Sequence, residues 1–147
     1  MTVFSPLSPV SAGIYTALNV PALAAAAPGG LFDDVPQGAT FPCVRYEVSE
    51  DYAPAFGAHS GSGRGSMSRL RLRCSVYSQY AGMKEAQGIV AVLRSLIDGP
   101  VTPTITSAGY TVWAAFFQQA LPVGDEVLGG VKVKELVADW TLEVEES

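Results

Sequence analysis

Histidine occurs once in these 147 residues and cysteine twice, and that scarcity removes most catalytic and metal-binding chemistry at the outset. Two thiols, Cys43 and Cys74, are too few for a disulfide framework or a cysteine-based metal site. Each falls in a strand-like run, where a free thiol behaves as a small apolar residue. Charge is scarce too. Asp, Glu, Lys and Arg make up 16% of the chain, against roughly 25% in ordinary soluble domains. So little charged surface suits a subunit that covers much of its exterior with copies of itself. The net charge of −5 argues against non-specific nucleic-acid binding, which needs a basic face. No apolar run reaches the ~20 residues of a membrane span. The opening segment, with Ser5, Pro6, Ser8 and Pro9, lacks the basic region and long apolar core of a signal peptide. The expected setting is a cytoplasm, with no membrane partner.

What is present is organised by period. Ser8-Pro9 followed by Val10, Ile14 and Leu18 predicts a helix that starts at a proline and carries an i, i+4, i+8 apolar stripe. Pro21 interrupts it, Ala22–Ala27 suggests a short second helix, and Pro28-Gly29-Gly30 ends that one. Leu31–Pro36 reads as a short extended piece entering a turn. Cys43–Glu50 and Ser68–Tyr77 alternate apolar and polar residues, which marks half-buried strands. They resemble a hairpin with a long Gly/Ser-rich tip over 53–66. Ser78 is placed to cap the longest helix, whose stripe includes Ala86, Ile89, Val90 and Leu93, and Asp98-Gly99-Pro100 stops it. Tyr110–Gln119 reads as a third strand, with Val112 and Phe116 on one face and Trp113 and Phe117 on the other. A second mobile connection is expected over 122–130. A final strand runs from about Val131 to Glu145, with Leu136, Ala138, Trp140, Leu142 and Val144 inward. The order predicts one α+β domain over 1–147, with a mainly antiparallel sheet of about four strands and helices packed on one face.

The chemistry that remains is thin. His59, in its Gly/Ser loop, has no Cys, Ser or carboxylate at a motif spacing, so it reads as a solvated loop residue. Gly61-Ser62-Gly63-Arg64-Gly65 lacks the Lys-Ser/Thr ending of a phosphate loop and leads into a strand where that chemistry needs a helix. Asp33-Asp34, Glu50-Asp51 and Asp125-Glu126 are adjacent acids in turns that do not converge as cation or acid/base sites must. No catalytic residue, metal or cofactor is expected. The strongest local signal is electrostatic. Arg69, Arg71 and Arg73 share one strand face in a stretch, 52–83, without a single acid. From Glu135 onward there are five acids and no base: Glu135, Asp139, Glu143, Glu145 and Glu146. Three like charges on one strand face repel unless something faces them. That can be water, acids such as Glu47, Asp139 or Glu143 in the same or a neighbouring subunit, or DNA. The intersubunit arrangement is slightly favoured.

Three segments carry a family resemblance. Leu31–Val44, with Pro36 and Pro42-Cys43-Val44, resembles the entry to the first strand of the tail terminator, or tail completion, family of long-tailed phages. Leu70–Ser78 followed by Glu85-Ala86 is similar to that family's strand running into a helix with a Glu-Ala pair. Val137–Val144 resembles its closing strand. The likeness follows nearly the whole chain in order, and the enlarged loop at 57–66 departs from it. It implies a tail-terminator-like fold and a structural, non-enzymatic virion protein. Such relatives form a hexameric ring at the neck that caps the head-proximal end of the tail tube, stops its growth and joins the head connector. The implied partners are the chain itself, the major tail tube protein and the connector or stopper protein. Genome DNA would pass through the ring without sequence-specific contact, and assembly would occur in a bacterial host cytoplasm. Gene transfer agents carry similar proteins. Another neck or head-completion protein, or a small-ligand binding module using the 53–66 and 122–130 loops, are the alternatives. The residues expected at the ring interface are Arg69, Arg71, Arg73, Trp113, Phe117, Asp139, Glu143 and Glu145. His59, Arg64, Asp125 and Glu126 belong to the expected contact loops.

Overall fold

A computed structural model describes residues 7–50, 67–98, 105–107, 109–128 and 130–146. The loop expectations for 53–66, with His59 and Arg64, lie outside the described residues.

The apolar stripe of the first helix does what its spacing predicts. In α1 (Leu7–Leu18) the side chains of Val10, Ile14 and Leu18 are fully buried. Val20 then takes an extended conformation, and Pro21 opens α2 (Pro21–Ala26) at the position where its missing N–H is no loss. The chain next leaves the helix layer through a tight passage. Gly29 donates to the Pro42 carbonyl at 2.8 Å, and a Cβ on it would lie 2.0 Å from the Thr40 carbonyl oxygen. Only glycine permits that approach.

The passage delivers β1 (Leu31–Phe32) to the sheet edge, parallel to β2 (Cys43–Glu50). β2 pairs antiparallel with β3 (Met67–Ser78), and the chain then forms α3 (Lys84–Ile97). β4 (Thr106–Ser107), β5 (Tyr110–Leu128) and β6 (Val131–Glu146) follow. The strand order is β1-β2-β3-β6-β5-β4, so the last strand inserts between β3 and β5. Four long strands and two two-residue edge pieces make the sheet, which is antiparallel except at β1. This is the expected α+β class.

One face of the sheet meets the helices. Leu70, Leu72, Cys74 and Val76 of β3 join Leu136, Ala138, Trp140, Leu142 and Val144 of β6 under α1 and α3. Burying each large side chain contributes ~1.5–3 kcal/mol, and this layer holds most of them. The opposite face carries a smaller cluster at one end, where Cys43, Tyr77 and Val133 pack with Phe32, Val35, Phe41, Leu128 and Val131. Both cysteines are free and buried. Burial pushes the Cys43 thiol up to about 11 and the Cys74 thiol further in the same direction, so neither is a reactive thiolate at neutral pH.

Three expectations are corrected. Ser78 does not start α3. Its hydroxyl accepts from the Tyr80 amide and donates to Glu85, bracing a bend, and the helix begins only at Lys84. The described residues of 122–130 are mostly strand rather than loop. β5 runs to Leu128 and pairs with β6 up to Leu128↔Val131, with Gly130 in the turn at positive φ. The third correction concerns β5's faces. Its register shifts between Val112 and Ala114, between Phe117 and Gln119, and between Pro122 and Gly124. Each bulge inserts one residue and reverses the alternation beyond it.

Candidate assembly surface

The outward face of the sheet divides into a charged half and an apolar half. The charged half follows from the insertion of β6 beside β3. Arg69 lies opposite Glu143, Arg71 opposite Thr141, and Arg73 opposite Asp139. Arg73 grips Asp139 with two bonds, Nε at 2.8 Å and Nη2 at 3.3 Å, and Gln119 of β5 donates to the same carboxylate at 3.3 Å. With Glu47 opposite Arg73 on β2, this makes a polar row across four strands.

Asp139 is only 5% exposed. Burial opposes its ionisation, but the hydrogen bonds from Arg73 and Gln119 and the charges of Arg73 and Arg71 win, and its carboxyl titrates below the ordinary value. The Asp139 hydrogen bond in turn holds the Arg73 guanidinium more firmly protonated. Arg69 and Glu143 approach to 3.8 Å in a more exposed pair. The slight preference for pairing across a subunit boundary is therefore corrected for Arg69 and Arg73, whose acids stand in the same chain. Glu145 is engaged locally as well, accepting from the Trp113 indole N–H at 2.8 Å.

The apolar half belongs to β5. Because of the bulge at Trp113, that residue and Phe116 point outward together, while Phe117 turns to the helix side with Val112. Phe117 packs edge-on against Trp140, ring centroids 5.5 Å apart, beneath the Arg94 guanidinium at 3.9 Å. Sequence alternation had grouped Trp113 with Phe117 and had put Phe117 at the interface. The structure places Phe117 against the core instead. Outside, Trp113 is 58% exposed, Phe116 51% and Leu121 51%, and Val123 is exposed farther along the strand. β4 pairs only with Tyr110 and Thr111, so among the described residues the outer edge of β5 from Val112 to Leu128 has no strand partner. Residues 99–124 contain no charged side chain, a signal that alternation alone did not bring out.

At the hairpin end, Asp125 accepts from Lys134 at 2.9 Å and lies 3.3 Å from Lys132. Its carboxyl is held low chiefly by the Lys134 hydrogen bond. Glu126 faces Glu135, whose carboxyl is raised first by burial and then by that neighbour. Among the described residues no three His, Cys, Asp or Glu side chains converge to hold a metal. No described helix is long and apolar enough to cross a membrane.

Comparisons with known proteins agree with this architecture. The model of the family described as tail completion protein gp17 matches residues 12–120. A chain in the solved virion of a native gene transfer agent particle superposes with a TM-score of 0.71 at 18% identity, covering 97% of this chain and 99% of that one. Another solved chain, also 18% identical and 92% covered in each direction, gives a TM-score of 0.52. No curated protein sequence matches. The fold and the family match define a structural protein of a virion tail. More particularly, the chain belongs to the tail completion protein gp17 family.

Proposed function

We propose that copies of this chain close into a ring, hexameric as the family resemblance implies, on the head-proximal end of a tail tube. The carrying observation is the β5 strip: exposed Trp113, Phe116 and Leu121 beside an edge without a strand partner among the described residues. An edge of this length with an apolar face would aggregate if nothing covered it. Aromatic, charge-depleted surface is what a protein interface buries at its centre.

Such a ring works by geometry. One face matches the last ring of tube protein and stops elongation, and the other accepts the head connector. In this reading the particle is a phage or a gene transfer agent, and the chain sits at the junction of tail and neck. Genome DNA crosses the lumen without sequence-specific contact. The charged half of the sheet, with Arg69, Arg71 and Arg73, faces away from the channel, because an arginine row on the lumen would hold the DNA. The protein acts without cofactor or catalysis.

The test is tube assembly with and without this chain. With it, tubes should end at a defined length bearing a terminal ring visible by electron microscopy, and native mass spectrometry of the released cap should give six copies. Tubes that keep elongating, with no added density at either end, would refute the proposal.

A further inference from the structure

The β5 strip needs a surface to meet, and the chain offers one. All 23 charged residues, nine basic and fourteen acidic, fall between Asp33 and Asp98 or from Asp125 onward. Two stretches are therefore bare of charge: residues 1–32, which contain α1 and α2, and residues 99–124, which contain most of β5. Both present solvent-exposed surface. On the helix side Ala12, Tyr15, Thr16, Ala22, Ala24 and Ala25 are exposed, mostly small side chains around one tyrosine. On β5 the outward face exposes the large apolar side chains of Trp113, Phe116 and Leu121. A low surface of alanines complements a surface of protruding rings, and neither side would bury an unpaired charge.

The two surfaces lie on opposite sides of the subunit. α1 buries Val10, Ile14 and Leu18 toward the sheet, so Ala12 and Thr16 point away from it, while Tyr15 lies at its flank beside Tyr46 of β2, ring centroids 6.1 Å apart. Phe116 stands opposite Thr141 on the sheet's other face. A contact between them is head-to-tail, the kind that propagates around a ring, whereas β5 meeting β5 would give a closed pair. We infer that the α1–α2 exterior of one copy seats on the outward face of β5 of the next. This rests on the ring reading and names the surfaces that make it.

The experiment places the same charge on either surface. Phe116→Glu marks β5, and Ala25→Glu or, separately, Ala12→Glu marks the helices. All three positions are exposed, and circular dichroism and thermal melts establish that each variant folds. Each variant alone should assemble at least about tenfold less well than the unaltered protein, on tubes and in solution, because like or unpaired charges at an interface core are strongly disfavoured. Mixed in equal amounts, Phe116→Glu and Ala25→Glu still share one intact joint, and native mass spectrometry should show a heterodimer and nothing larger. If both helix variants ring normally while Phe116→Glu does not, the α1–α2 seat is wrong and the ring reading stands. If Ala25→Glu forms homodimers that Phe116→Glu cannot, the joint is β5 on β5 and the inference is overturned. If the unaltered protein never rings, even on tubes, the ring reading itself fails.

Discussion

Replacing Asp139 by Asn keeps the side chain's volume and removes its charge, and the structure says what should follow. Asp139 accepts two bonds from Arg73 and one from Gln119 while nearly excluded from water. Hydrogen bonds to a charged group contribute about 1.5–3 kcal/mol net. Breaking a fully buried ion pair costs more, about 3–5 kcal/mol. That larger figure does not apply, since the Arg73 side chain is 41% exposed and can rehydrate once its partner is gone. The expected loss is about 1.5–3 kcal/mol, a fall in Tm of about 4–10 °C for a chain of this length. The pH dependence has a definite sign. The Asp139 carboxyl titrates below its ordinary value when folded, so the unfolded chain binds its proton more readily. The contribution is complete above the unfolded value of about 3.9 and is lost as pH falls through the lower folded value. Urea melts of Asp139→Asn should therefore lag the unaltered protein by a constant margin from pH 7 to 5, and the margin should close below about pH 4. Because both partners belong to one chain, the loss should be the same at low and high protein concentration. A loss seen only where the protein assembles would put the pair across a boundary after all. A loss undiminished at pH 3 would show that the charge is not its source.

Asp98→Ala should cost about 1–3 kcal/mol, because it strips the acceptor from the buried Trp140 indole N–H and the partner from Arg94. Asp98→Asn, which still accepts, should recover most of that in thermal melts followed by tryptophan fluorescence. Gly29→Ala should lower the Tm, since its Cβ would press within 2.0 Å of the Thr40 carbonyl oxygen, a backbone atom that cannot rotate away. Normal stability in that variant would refute the close passage. Glu135→Gln should raise the urea midpoint at pH 7.5, because burial, reinforced by Glu126, penalises the ionised form. The raised folded value means this gain shrinks as pH falls and is gone near pH 4, where both states are protonated.

Much of this fold was legible in the chain because period and punctuation are local. The stripe of α1, the proline that separates α2, the alternation of β3 and β6, and the inward set Leu136 to Val144 are each fixed within one element. What could not be read were relations between elements. That β6 lies beside β3 decides whether Arg73 finds its acid at home, and no property of either strand alone dictates the order. Bulges were equally hidden, since an inserted residue such as Trp113 leaves no mark in the sequence while exchanging the faces of Phe116 and Phe117 relative to Val112. The hairpin end was misjudged for a different reason. Gly124 and Pro122 signal a loop, yet here one sits at a bulge with positive φ and the other on an edge strand, the places where a sheet tolerates them.

Those same bulges have a mechanical consequence. β5 takes nineteen residues to travel alongside sixteen of β6, and each of the three register shifts lets one residue go unmatched. At ~3.3 Å of rise per residue, the path of β5 is longer by roughly 10 Å. Two bonded strips of unequal length cannot both run straight. They bend, as a bimetallic strip does when heated, and a bulged strand bends and twists more strongly at each extra residue. Curvature is thus written into the covalent length of one strand, present in every copy before any two of them meet.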